Sequence, residues 1–185
     1  DLASTRHSTS QGCDDAAAAL HTLFDSLGLN PQYQNHTAGH APNVFGTIVG
    51  STAPDEVVIA IGHLDDMPSS GPAPGADDNA SGTAMVTALA EAMSCYSWSR
   101  TVRFLAVTGE EFGLYGSEHY ASQAQSAGEN IVAVLNADMI GWEGDGNPAV
   151  EDLDVNTNSG SAWLGTLMRE AADEYDTGLV VNDFS

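Results

Sequence analysis

The chain has 185 residues, 42% of them hydrophobic, which is enough for one well-formed core. Four arginines, no lysine and 26 acidic residues give a net charge of −22, and Arg6, Arg100, Arg103 and Arg169 are scattered along the chain. That pattern excludes the basic cluster that nucleic-acid phosphates require, and no stretch reaches the roughly 20 apolar residues of a membrane span.

Taken in order, Asp14 to Leu27 predicts a surface helix, with Leu20, Leu23, Phe24 and Leu27 at helical spacing and Gly28 as its stop. Val44 to Val49 and Val57 to Ile61 are β-branched and bounded by Gly, Pro or Asp, so both read as strands. The second, VVIAI, is apolar without alternation, as a strand covered on both faces must be, and its end delivers His63. Asp65 to Asn79 is a loop rich in Pro, Gly, Ser and Asp, and Ser81 to Met93 is a helix.

The alternation repeats with strand Val102 to Val107, helix Ser117 to Gln125 and strand Ile131 to Leu135, which runs into Asp138. A weaker strand over Val150 to Val155, a helix over Ser161 to Tyr175 and a terminal strand in GLVVNDFS complete the set. This succession predicts a single domain over 1–185, a three-layer α/β/α globule with a central, mostly parallel (mixed) sheet. In such sheets ligands sit beyond the carboxyl ends of the strands. His63, Glu110, Glu111 and Asp138 all fall at such ends.

The acidity points to a solvated surface whose self-repulsion salt would screen, which suits either a salt-rich habitat or an acidic secreted protein. Cys13 and Cys95, the only cysteines, form either one disulfide or two buried thiols. The start at Asp1, without Met or leader, is that of a processed product or a cut piece.

Three acidic segments carry the chemistry: HLDD from His63, GADDNASG from Gly75, and the adjacent Glu110 and Glu111. Gathered at one sheet edge they would repel each other unless a cation sat among them, so a divalent metal, and by their number a pair, is expected. Zinc takes imidazole nitrogen and carboxylate oxygen, and a carboxylate two residues after a ligating histidine, as Asp65 follows His63, can hold that histidine's other ring N–H. Asp77 and Asp78 stand before a helix, where one could cap it while the other binds metal. Glu110 and Glu111, if extended, point to opposite sides, so one can bind metal while its neighbour serves as general base.

The ordered set HLDD, APGADDNASG, TGEEFGLYGS and LNADMIG, with STRHSTSQG before the first helix, resembles the zinc aminopeptidases of peptidase family M28, which are related to leucyl aminopeptidases. The resemblance implies an α/β globule with a mixed sheet and two zinc ions at its strand ends. Position by position, it implies that His63 and Asp138 hold the first zinc, Asp78 bridges both, Glu111 holds the second, Glu110 is the general base and Asp65 orients His63. The implied reaction releases the N-terminal residue of a peptide with a free amine, in a secreted or periplasmic setting. In that family a histidine near the C-terminus completes the second site. This chain ends at NDFS without it, so either a terminal strand, a helix and that ligand are missing, which is the expectation, or the second metal site is altered. His7, His21, His36, His40 and His119 match no ligand position and read as surface or structural. A glutaminyl cyclase with one zinc, a carboxypeptidase and a catalytically silent binding domain are the competing readings.

Overall fold

The computed structural model describes residues 5–67, 75–142 and 152–184, and divides into two compact units, Asp1–Met139 and Ile140–Ser185. The expected strand start at Val150 and part of the Asp65 to Asn79 loop lie outside the described residues. No helix among those residues is long and apolar enough to cross a membrane.

The first unit holds α1 (Gln11–Ser26), β1 (Gln32–Gln34), β2 (Asn43–Ile48), β3 (Ala53–His63), α2 (Ala80–Met93), β4 (Arg100–Val107), α3 (Tyr115–Ala127) and β5 (Asn130–Asn136). Its sheet has the order β1-β2-β4-β3-β5. The three strands β4, β3 and β5 are parallel and the first two are antiparallel additions, so the sheet is mixed as expected. Period-two alternation sorts the core. Val102, Phe104 and Ala106 of β4 and Ala60 of β3 pack under α1 and α2, while Leu105, Val107, Val57 and Ile59 pack against Tyr120 and Ala124 of α3. Helices thus cover both faces, which is why the VVIAI and FLAV runs are apolar throughout.

Where elements differ from the sequence reading, a local bond accounts for it. α1 begins three residues before Asp14 because Ser10 caps it, its hydroxyl accepting from the Cys13 amide at 3.2 Å. Its buried stripe is Cys13, Ala17, Leu20 and Phe24. β3 starts at Ala53, not Val57, because Ala53 pairs with Arg100 and the Thr101 hydroxyl donates to the Pro54 carbonyl at 2.7 Å. β1 is polar and only three residues long, too short to leave a periodic signal. α3 ends on Gly128 at φ +67°, the left-handed conformation that favours glycine.

β3 and α2 approach backbone to backbone. A Cβ on Gly62 would lie 2.9 Å from the Gly82 carbonyl carbon. Two glycines at this crossing seat the start of α2 against the end of β3.

Cys13 and Cys95 are both free, Cys13 buried in α1 and Cys95 exposed beyond α2. Burial pushes the Cys13 thiol up to about 12. A native thiol titration at pH 8 is therefore expected to modify one cysteine per chain, and peptide mapping to place it at Cys95; prompt labelling of Cys13 would contradict this packing.

The second unit is a strand-helix-strand piece. β6 (Asp152–Asn156) and β7 (Val180–Phe184) pair in parallel, joined through α4 (Ala162–Glu174).

Candidate metal centre

The parallel strands end side by side. His63 pairs with Val107 and Ile61 with Asn136. The ladder extends one step further through Leu64 N–H to the Val107 carbonyl at 2.8 Å and Ala137 N–H to the Ile61 carbonyl at 2.9 Å. His63, the turn after β4 and Asp138 therefore reach one edge, and the segment before α2 returns to it.

There the His63 Nε2 lies 3.2 Å from the Asp78 Oδ1, 3.5 Å from the Asp138 Oδ1 and 4.0 Å from the Glu110 Oε2. The His63 ring is 4% exposed, whereas Asp78 and Asp138 are 47% and 41% exposed, so the cluster opens to solvent on its carboxylate side. One donor nitrogen and two carboxylate oxygens lie within 4.8 Å of one another.

The other ring nitrogen fixes the chemistry. Nδ1 lies 3.0 Å from the Asp65 carbonyl oxygen, which can only accept, so Nδ1 carries the hydrogen. In the neutral ring, Nε2 then turns a lone pair towards two carboxylates. Three electron-pair donors facing one point fit a borderline divalent cation such as zinc, and the mixed nitrogen and oxygen set is the one zinc takes.

Asp65 meets this ring through its backbone carbonyl. Its own carboxylate lies 3.8 Å from Nδ1 and accepts from the Glu110 amide at 3.2 Å. It is fully buried, and burial pushes its pKa up.

Glu110 and Glu111 are not extended. They lie beyond the end of β4 in a turn where the amides of Gly113 and Leu114 both donate to the Glu110 carbonyl at 3.0 Å. Gly109 at φ +75° and Gly113 at φ +116° allow that turn. The extended backbone expected of the pair is therefore a turn, and both carboxyls lie in the field of His63, Asp65 and Asp78. Burial raises the Glu110 pKa, with Asp138, Asp65 and Asp78 acting in the same direction and His63 against it. Burial also raises Glu111, followed by the charge of Asp78.

Neither aspartate of GADDN caps α2. The cap is Asn79, whose Oδ1 accepts from the Gly82 amide at 2.8 Å. Its Nδ2 donates to the Ala137 carbonyl at 2.9 Å, and its Oδ1 lies 3.4 Å from the Met139 amide. Fully buried, Asn79 ties the residue after Asp78 to the residues on either side of Asp138. Its N-cap preference was visible in the sequence, but its partners lie about 60 residues away and left no local signal.

Asn43 plays the matching part for the glutamate turn. It accepts from the Thr108 amide at 3.0 Å and donates to the Gly116 carbonyl at 2.9 Å. Behind this turn, His36 bonds to the Thr108 hydroxyl at 2.8 Å and His40 to that of Ser8 at 2.9 Å, while His21 stacks on Tyr33. These histidines have structural partners. Trp142 is exposed.

A mixed α/β sheet with imidazole and carboxylates converging at its strand ends defines the class of α/β proteins with a candidate metal centre at the sheet edge. Within it, the Peptidase family M28 model matches residues 43–184, and the chain belongs to that family. A "probable zinc metalloprotease" of Pyricularia oryzae is 41% identical over 104 residues, covering 54% of this chain and 21% of the relative. A "probable leucine aminopeptidase" of Trichophyton verrucosum is 33% identical over 143 residues, covering 72% of this chain and 37% of the relative. Among solved structures, the LapA aminopeptidase of Legionella pneumophila matches with TM-score 0.82 at 23% identity, over 98% of this chain and 50% of that one. A glutaminyl cyclase of an Acidobacteriales bacterium matches with TM-score 0.75 at 21% identity, over 100% of this chain and 68% of that one. The last two likenesses establish the fold alone. The chain spans about a fifth of the length of the first curated relative and half that of LapA.

Proposed function

We propose that this chain carries the metal-holding and base-bearing part of a zinc-dependent aminopeptidase. The observation that carries the reading is the approach of Asp78 and Asp138 to within 3.5 Å of the His63 Nε2, with Glu110 at 4.0 Å. His63 and Asp138 would hold one zinc ion, and Asp78 would bridge to a second for which Glu111 supplies a further ligand. Bound zinc supplies Lewis acidity at a carbonyl oxygen and lowers the pKa of a coordinated water.

The chain's own residues do the rest. Glu110 is positioned by its amide bond to Asp65, and its carboxyl faces the ligand cluster. It takes a proton from the water that attacks the scissile carbonyl and returns it to the departing amine. A carboxyl whose pKa sits above the ordinary range is better matched to that exchange near neutral pH.

A leucyl anilide with a free amine, offered beside its N-acetyl counterpart, tests the reaction. Hydrolysis of the first alone, abolished by a chelator and restored by zinc, is the expected outcome. Release of the C-terminal residue from an N-blocked peptide would make it a carboxypeptidase. Because the fold is also that of a glutaminyl cyclase, a peptide with N-terminal Gln belongs in the same assay; loss of ammonia without chain cleavage would replace the aminopeptidase reading.

The charge of −22 belongs to the same proposal, as an adaptation to a salt-rich or extracellular medium. Raising salt from about 0.01 M to 1 M shortens the screening length from roughly 30 Å to 3 Å. The melting temperature is expected to rise by several degrees across that range, and a flat response would count against the adaptation.

A further inference from the structure

We propose that Arg6 is a positioning residue for the metal centre, a clamp that fixes the start of the β3–α2 connection, behind His63, to its far end, which carries Asp78. The inference rests on the metal-binding reading above. Arg6 lies 57 positions before His63 in sequence and touches none of the candidate ligands. Its Nε donates to the Leu64 carbonyl at 3.0 Å and its Nη2 to the Gly75 carbonyl at 2.9 Å. Its Nη1 lies 3.6 Å from the Asp66 Oδ2. Its backbone is paired as well, the amide donating to the Asp66 Oδ1 at 2.8 Å and the carbonyl accepting from the Asp66 amide at 3.2 Å.

Each end of the clamp is itself fixed. The Leu64 amide is bonded to the Val107 carbonyl, so Arg6 fixes the remaining backbone group of the residue next to His63. On the other side the Gly75 carbonyl also accepts from the Ala80 amide at 3.0 Å, which closes the segment bearing Asp78 onto the start of α2. Gly75 admits no side chain here: at φ +41°, a Cβ would lie 2.7 Å from both the Arg6 Nη2 and the Asp66 Cβ. The guanidinium is 17% exposed and its charge offsets the fully buried Asp66. One planar fork thus meets acceptors from both ends of that connection, a geometry that an ammonium cannot reproduce.

Cobalt(II) binding to the metal-free protein tests this with a readout independent of turnover. Arg6→Lys is expected to melt within a few degrees of wild type when metal-free, because the charge opposite Asp66 remains. Its cobalt affinity is expected to fall about 10- to 100-fold, the usual cost of losing support behind a ligand, with a changed d–d absorption spectrum. A purely structural arginine would instead lower metal-free stability and leave affinity and spectrum of the folded protein unchanged; that result overturns the clamp while leaving the metal site standing. Failure of wild type to bind cobalt would overturn the metal reading and the clamp with it. Should Arg6→Lys not fold, Gly75→Ala disturbs the same junction with Arg6 retained, and unchanged cobalt binding there is equally fatal.

Discussion

Replacing Glu110 by Gln should leave zinc bound and reduce turnover by about 10²- to 10⁴-fold, the span that a positioned general base contributes. Gln keeps the size and the backbone bond to Asp65, which runs through the residue's amide and not its side chain. What it loses is the ability to accept a proton. Glu110 lies 4.0 Å from the His63 Nε2, further than Asp78 or Asp138, so the metal-holding donors remain in place. The effect should fall on kcat with little change in KM. The pH profile gives the second signature: a base works deprotonated, so wild-type kcat/KM falls as pH drops through its pKa, and that acidic limb should vanish in the variant. A variant with wild-type turnover would remove Glu110 from the mechanism. One that also lost its zinc would make Glu110 a ligand.

His63→Ala should have the larger effect on metal. It removes the only nitrogen of the cluster from a position 4% exposed, leaving Asp78 and Asp138 to face each other across the gap. Two half-exposed carboxylates bind zinc weakly without the imidazole. A ligand at 100 times its Kd stabilises a fold by about 2.7 kcal/mol, so zinc should raise the melting temperature of wild type by several degrees and that of the variant hardly at all. The same zinc-induced shift in both proteins would place the bound ion elsewhere.

The sequence made the candidate ligands more legible than the residues that hold them in place, for a physical reason. His63 and the two glutamates follow apolar runs buried between helices, and a charge at the end of such a run has few explanations besides a site. β3 and β4 were legible for the same cause, whereas β5, exposed at alternate positions with Asp138 just beyond it, was read from its β-branched run. Asn79, Asn43 and Arg6 carry no such mark, since each acts through hydrogen bonds to residues that lie mostly 58 to 73 positions away. Gly109 and Gly113 were in plain view, yet their positive φ values, which bend the glutamate pair into a turn, depend on how β4 meets α3. The hydrogen bond to His63 expected of the Asp65 carboxylate is made by its carbonyl, while the carboxylate accepts from the Glu110 amide.

The most direct test of the metal centre is an anomalous difference map from crystals of the protein soaked in zinc, recorded at the zinc absorption edge. The account predicts a peak about 2.0–2.2 Å from the His63 Nε2 and from carboxylate oxygens of Asp78 and Asp138. A protein that takes up zinc with no peak in contact with His63 would contradict it.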